Sequence, residues 1–224
     1  PMSHIVGVSQ SALLDVDKDA CLDQGDDMLI SRFIDREGLL GVVDITGSEV
    51  VDDEVFRMHM SPLWMYYGTL ANQSQVPPVI NGSITQIPVG YLAQMFEYWR
   101  GSFIVSLRFV ASRFHSMRLR LSYVPDVANG GFPTITLEAG SNVYNHVFDI
   151  NTESEVDFVI PYVSPSPFQA TQYGEKFSTL PPAGYLVLNV INPLTSGEPT
   201  NNPISVQVFC KPGKDFQFAY PIMR

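Results

Sequence analysis

The sequence contains few cysteines, few charged residues and no long apolar run. Its 224 residues include only Cys21 and Cys210, and 16% of the chain is charged. Two cysteines so far apart supply neither a disulfide framework nor a zinc cluster. No apolar run is long enough to span a membrane and no signal peptide is visible, so we expect free thiols in a reducing compartment.

The motifs of common enzymes are missing as well. The histidines are His4, His59, His115 and His146, and no His-x-x-x-His or His-Glu pair stands at metal-binding spacing. Gly-x-Ser-x-Gly and a phosphate-binding glycine loop are absent. The sequence therefore predicts no enzyme, no catalytic residue, no metal and no cofactor. We expect His59, His115 and His146 to be hydrogen-bonded structural residues on strands.

Basic residues are scarce. Thirteen lysines and arginines stand against 23 acidic residues, which gives a formal charge of -10. Such a balance argues against a broad basic surface for gripping nucleic acid. One basic patch is still compatible with the sequence, because five of the thirteen lie between residues 95 and 126: Arg100, Arg108, Arg113, Arg118 and Arg120.

What the chain has in quantity is apolar and turn-forming residues. Hydrophobic residues make up 45% of it, with 14 Phe and 10 Tyr, and 16 Gly and 17 Pro occur without a repeat period. This composition is typical of one folded domain built from many strands joined by irregular loops.

Residues 95–126 carry the clearest strand pattern. Apolar and polar residues alternate from Phe103 to Phe109 and again from Met117 to Tyr123, which is the two-residue period of half-buried strands. The connection from Ala111 to Ser116 is too short for a crossover helix. The pattern therefore predicts all-β architecture, with Leu107 and Leu121 facing the core.

The same reading along the chain predicts eight strands and one short helix. The helix is expected from Val89 to Tyr98, with Pro88 in its first turn. The predicted strands are 39–46, 50–60, 102–110, 117–124, 143–150, 155–163, 185–192 and 204–210, separated by long loops.

Several segments, in this order and spacing, resemble the capsid proteins of picorna-like viruses, the group that includes dicistroviruses, iflaviruses, marnaviruses and picornaviruses. The resemblance extends over residues 31–221. It is carried by FIDREGLL at 33–40, YWRGS at 98–102, FHSM at 114–117, SYVP at 122–125, SEVDFVIPYVS at 154–164 and KPGKDFQFAYP at 211–221.

The resemblance implies an eight-stranded antiparallel jelly-roll β-sandwich with a short helix and long loops. It also implies an extended arm at 1–30, a capsid domain at 31–221 and a short tail at 222–224. The function implied is that of a major structural protein of a small icosahedral positive-strand RNA virus, assembled in the host cytoplasm and located in the virion. Related capsid proteins of the same virus are the implied partners, three kinds of subunit in sixty copies each, with genomic RNA as a candidate partner on the inner surface.

Two acidic segments require separate interpretation. Residues 1–27 carry six aspartates but lack the glycine and the glutamate of an EF-hand loop, so we expect a solvated arm or one folded along a neighbouring subunit. Some insect-infecting relatives carry an Asp-Asp-Phe motif linked to precursor cleavage. This chain has Asp52-Asp53-Glu54-Val55-Phe56 instead, so the motif does not match and a solvated loop is the better interpretation.

Arg100, Arg113 and Arg118 are the candidate contact residues. Arginines beside aromatic residues can bind single-stranded RNA, or they can pair with acids of neighbouring subunits, and we favour the second role. Two other functions remain as alternatives. A carbohydrate-binding, lectin-like jelly roll would share the fold, and a cupin enzyme would share it too but needs a histidine cluster that this sequence lacks.

Overall fold

The computed structural model describes residues 29–64, 86–125, 143–171, 184–196 and 203–222. The chain divides into two compact units, Pro1–Phe33 and Ile34–Arg224. Of the first unit, only residues 29–33 are described, and they form most of helix α1. The acidic arm predicted at 1–30 therefore lies almost wholly outside the described residues, and its boundaries stay a prediction.

The described residues form eleven strands, two short α-helices and one 3-10 helix. The helices are α1 (Ile30–Ile34), the 3-10 helix (Pro62–Trp64) and α2 (Pro88–Ala93). The strands are β1 (Gly38–Ile45), β2 (Glu54–His59), β3 (Phe96–Arg100), β4 (Phe103–Val110), β5 (His115–Pro125), β6 (Tyr144–Asp149), β7 (Glu155–Ile160), β8 (Gln169–Ala170), β9 (Gly184–Ser196), β10 (Ile204–Pro212) and β11 (Gln217–Pro221).

Eight of these strands build two four-stranded antiparallel sheets. The first sheet has the order β1-β10-β4-β7 and the second has the order β2-β9-β5-β6. Each of the connections β1–β2, β4–β5, β6–β7 and β9–β10 passes from one sheet to the other. This arrangement of two interleaved sheets is the jelly roll, so the predicted fold class is confirmed.

The core lies between the two sheets. Burial alternates along β7 and along β10, and Leu107 of β4 and Leu121 of β5 are both fully buried. The inward faces predicted from the sequence are therefore correct. All eight predicted strands are present, with ends shifted by up to four residues. Residues 50–53 form a turn before β2, and β9 extends to Ser196.

The predicted helix at 89–98 is too long. Helix α2 ends at Ala93, and Phe96–Arg100 is strand β3, the centre of a third sheet with the order β11-β3-β8. β3 pairs on one side with β11 and on the other with β8. The sequence favoured a helix because its apolar residues recur at helical spacing, but pairing with two distant strands overrides that local preference.

A corner of the chain joins the third sheet to the first. Ser102 follows β3, and its backbone N–H and hydroxyl both donate to the carboxylate of Asp215, which precedes β11. The N–H of Gly213 donates to the carbonyl of Ser102 at 2.8 Å. Gly101 has a φ of +121°, a conformation that glycine adopts without a steric penalty. The YWRGS and KPGKDF motifs therefore meet in space.

Candidate subunit interface

One end of the sandwich is made of short turns, which we call the turn end. It comprises residues 46–53 between β1 and β2, residues 111–114 between β4 and β5, and residues 150–154 between β6 and β7. In the first sheet, Ser205 lies between Asp44 and Val110 on the neighbouring strands, and in the second sheet Arg118 lies opposite Asp149. These registers place the three turns at the same end of the two sheets.

The turn between β4 and β5 is held by His115. The N–H of Ser112 donates to Nδ1 of His115 at 3.1 Å, and the Ser112 hydroxyl lies 2.8 Å from the same nitrogen. In return, the N–H of His115 donates to the carbonyl of Ser112 at 3.1 Å. His115 is buried, and its Nδ1 accepts the hydrogen bond from the Ser112 N–H. The turn is therefore fixed from both ends.

This fixed turn presents Arg113 and Phe114 to solvent. Phe114 is 69% exposed, and neighbouring Val110 is 58% exposed. Arg113 is exposed too, and no acidic side chain among the described residues pairs with it. Arginine and aromatic side chains are the residue types that most often carry binding energy in protein interfaces.

The turn between β1 and β2 combines apolar and acidic residues. Val50 and Val51 are 60% and 51% exposed, and Asp53 is exposed beside them. The turn is anchored on β9, because the N–H of Asp52 donates to the carbonyl of Val190 at 2.8 Å and the N–H of Val190 donates to the carbonyl of Asp53 at 2.9 Å. Asp52 has a φ of +77°, in a region that aspartate enters more readily than most residues.

Arg118 forms an ion pair inside its own subunit. Its Nε and Nη2 donate to the Asp149 carboxylate of β6 at 2.8 and 2.7 Å. These hydrogen bonds lower the pKa of Asp149 and raise that of Arg118. The pair borders an open polar pocket of about 320 Å³ near the turn end, lined in addition by Asn151, Asn192 and Thr195.

Arg100 lies away from the turn end, at the last position of β3. Its guanidinium sits 5.5 Å from the centre of the Phe168 ring, a cation–π arrangement. The three candidate arginines are therefore not brought together. Arg113 and Arg118 are near the turn end, and Arg100 belongs to the third sheet.

Sequence reasoning misplaced one arginine. The alternation in residues 117–123 put Arg118 and Arg120 on the same outer face, yet Arg118 is exposed and Arg120 is 5% exposed. Burial lowers the pKa of Arg120, and the negative charge of Asp52 opposes that shift. No signal in the sequence identifies Asp52 as this neighbour, because it comes from another strand connection.

The histidines of the described strands differ in environment. His59 is buried, and burial together with the positive charge of Arg57 lowers its pKa to about 4. His146 is exposed on edge strand β6, stacked 6.0 Å from Phe148. In the described part of the chain, no group of three or more His, Cys, Asp or Glu side chains is placed to hold a metal ion. None of the helices described there is long and apolar enough to cross a membrane.

Three comparisons relate this arrangement to known proteins. A family model described as picornavirus capsid protein matches residues 82–190. The structural polyprotein of Cricket paralysis virus is 26% identical over an alignment of 233 residues, which covers 98% of this chain and 25% of the polyprotein. The genome polyprotein of Human klassevirus 1 is 31% identical over 137 residues, which covers 61% of this chain and 6% of the polyprotein. The chain thus spans a quarter or less of the length of these two relatives.

Solved structures share the fold of this chain. A structure of deformed wing virus superimposes with a TM-score of 0.77 at 23% identity and covers the whole of this chain and 56% of the compared chain. At that identity the superposition shows the jelly-roll fold, and the similarity to capsid proteins in sequence comes from the family model and the two polyproteins.

Proposed function

We propose that this chain is a member of the picorna-like virus capsid protein family and a major structural subunit of a small icosahedral positive-strand RNA virus. It assembles with related jelly-roll subunits into a shell that encloses the genome, and its place is the virion. The observation that carries the proposal is the match of residues 82–190 to the picornavirus capsid family, on a chain whose two sheets have the jelly-roll order.

The function is structural, and its mechanism is assembly. Two sheets packed over one apolar core hold the turns between them in place, and preorganised surfaces of this kind typically move little when a partner binds. Each contact between subunits then contributes a modest free energy, and closed symmetry repeats it around the shell. Assembly takes place in the host cytoplasm, and the partners are the other capsid proteins of the same virus.

The domain organisation supports this role. We assign residues 1–30 to an extended arm, 31–221 to the jelly-roll domain and 222–224 to a tail. The arm carries six aspartates and lacks a core-forming pattern, so we expect it to fold along a neighbouring subunit. Deleting residues 1–27 should leave the sandwich folded and reduce particle yield. Normal yield and heat stability of the truncated particles would contradict the interlocking role.

Two alternative roles are open to the candidate arginines: contact with genomic RNA, or pairing with acidic residues of neighbouring subunits. Replacing Arg100 and Arg113 by glutamine should reduce packaged RNA if they contact the genome, and the salt dependence of RNA binding should fall by about one per lost phosphate contact. The same changes should weaken empty shells if these residues pair with acids of neighbours. We favour the interface role, because the chain carries a charge of -10. Arg118 has its acid partner, Asp149, within the subunit, so it should affect neither property strongly.

The proposal is tested by producing the chain together with its neighbouring capsid proteins as one precursor with its processing protease. Sedimentation and electron microscopy should then detect icosahedral particles that contain this chain. A lectin-like module would instead remain a small species and would bind an immobilised glycan array. Fast-sedimenting shells exclude the lectin alternative, and their absence with full processing would refute the capsid function.

A further inference from the structure

The connection between β7 and β8 contains two Ser-Pro dipeptides. Residues 161–168 read PYVSPSPF and form neither helix nor strand, and Pro165 is exposed. A proline disfavours the α region for the residue before it, so Ser164 and Ser166 both favour extended backbone. Protein kinases bind the segment around their target serine in an extended conformation, and one class of serine kinase selects proline at the next position. The segment therefore has the sequence and the local conformation of a kinase substrate.

The two serine hydroxyls differ in their hydrogen bonds. The hydroxyl of Ser166 donates to the carbonyl of Phe168 at 2.6 Å. The Oγ of Ser164 instead accepts from the N–H of Ser166 and from Nε2 of Gln169, both at 3.2 Å. A phosphoryl group on this Oγ would place anionic oxygens within reach of the same two donors, and hydrogen bonds to an anion are stronger than those to a hydroxyl. Ser164 is therefore the serine whose surroundings favour a negative charge.

Arg100 supplies a cation beside this segment. Its guanidinium lies 5.5 Å from the centre of the Phe168 ring. Burial raises the pKa of Tyr162, and a hydrogen bond with Ser164 and the positive charge of Arg100 oppose that shift. Tyr162, Ser164 and Arg100 are thus neighbours. Across the described residues, no carboxylate forms an ion pair with Arg100, so its charge is available to an anion.

We propose that Ser164 is a phosphorylation site for a proline-directed serine kinase of the host cytoplasm, and that Arg100 binds the phosphate. The γ-phosphoryl group of ATP is transferred to Oγ of Ser164. The new P–Oγ bond forms as the bond to ADP breaks, and the hydroxyl proton passes to the catalytic aspartate of the kinase. The phosphate carries a charge of about −1.5 to −2 and three acceptor oxygens. The N–H of Ser166, the amide of Gln169 and the guanidinium of Arg100 then hold the segment against the end of β3.

Phosphorylation would take Arg100 away from other partners. A guanidinium paired with a phosphate of its own subunit can bind neither genomic RNA nor an acid of a neighbouring subunit. This consequence rests on the proposed function. The modification itself depends only on the Ser-Pro segment and on Arg100.

The modification is tested on the full chain with MgATP and a mitogen-activated protein kinase, which selects Ser-Pro sites. Phosphopeptide mass spectrometry should find one phosphoryl group per chain, on Ser164. Pro165→Ala should slow incorporation by at least about tenfold, whereas the matched variant Pro167→Ala should leave the rate unchanged. Phosphate on Ser166 alone would overturn the proposal. An unmodified chain would overturn it too, whether or not the same kinase modifies a synthetic peptide of residues 158–170.

Phosphorus NMR tests the role of Arg100. The second pKa of a free phosphoserine is about 6, and a cation beside the phosphate lowers it. In the folded chain this pKa should lie at least about 0.5 below its value in the phosphorylated peptide, and Arg100→Gln should remove most of the difference. Arg118→Gln, at an exposed arginine paired with Asp149, is the control and should leave the titration unchanged. Equal titration of the parent chain and Arg100→Gln would overturn the assignment of Arg100.

Asp215 is the other charged group that Arg100 affects. The hydrogen bonds from Ser102 lower the pKa of Asp215, and the charge of Arg100 contributes to that shift. Asp215 is the same in the parent chain and in both variants, so it does not account for a difference between them. Both experiments use the isolated chain. They can therefore fail although the chain assembles into shells, and they can succeed although it does not.

Discussion

Replacing Gly101 by alanine should destabilise the fold strongly, although the change adds one methyl group. Gly101 joins β3 to β4 with a φ of +121°. A Cβ atom built there would lie 2.4 Å from Cα of Phe216 and 2.8 Å from the carbonyl oxygen of Asp215. Both atoms belong to the backbone, so rotation of a side chain cannot relieve the clash, and the segment before β11 must move.

The expected loss in the free energy of unfolding depends on the contacts that this movement breaks. Holding alanine at such a φ costs about 1–3 kcal/mol. Phe216 packs against Trp99 and Phe103, with ring centres 5.9 and 5.2 Å apart, and each aromatic pair contributes about 0.5–1.5 kcal/mol. If the backbone shift loosens one of these pairs, the free energy of unfolding should fall by about 1.5–4.5 kcal/mol.

The assay is urea unfolding of the full chain, followed by tryptophan fluorescence and circular dichroism. The transition midpoint should fall while its slope stays unchanged, because the same surface is exposed on unfolding. Val159→Ala, on the exposed side of β7, is the control and should change the free energy of unfolding by no more than about 0.5 kcal/mol. A loss below about 1 kcal/mol for the Gly101 variant would refute the reasoning, because the strain alone should exceed it.

Three further predictions concern the core, a histidine and an ion pair. Leu107→Ala or Leu121→Ala should each lower the free energy of unfolding by about 2–5 kcal/mol, measured as a denaturant midpoint, since both side chains are fully buried. Burial and Arg57 lower the pKa of His59 from 6.5 to about 4, so the unfolded chain binds more protons between these values. Stability should be complete above pH 6.5 and fall by about 3 kcal/mol toward pH 4, and His59→Gln should flatten that pH profile. Arg118→Ala removes an exposed ion pair and should leave the denaturant midpoint nearly unchanged; a clear fall of the midpoint in denaturant titration would contradict this.

The alternation of apolar and polar residues along the chain determined most strands of the sandwich. Alternation from Phe103 to Phe109 and from Met117 to Tyr123 predicted two strands and their inward faces, and Leu107 and Leu121 are buried as expected. This works because the side-chain period of a strand is a local property that each segment carries by itself. The order of the strands within the sheets is not local, and it was obtained from the family resemblance.

The tertiary structure decided everything that depends on which segments are neighbours. Phe96–Arg100 became a strand because β11 and β8 flank it, and no local pattern records that pairing. Arg118 and Arg120 look equivalent in the sequence. Pairing of β5 with β6 gives Arg118 an acid partner at the surface, whereas Arg120 is buried near Asp52.

At the candidate subunit interface, too, the sequence predicted one part and the tertiary structure decided the rest. The sequence singled out Arg113 as a candidate contact residue, because an arginine beside aromatic residues can bind single-stranded RNA or pair with acids of a neighbouring subunit. It did not predict that His115 fixes the turn or that Phe114 is left in solvent. Both depend on the packing of the His115 ring at the start of β5. Composition and periodicity decide which residues can form a core, and strand pairing decides which apolar residues remain outside it, where another subunit can bind them.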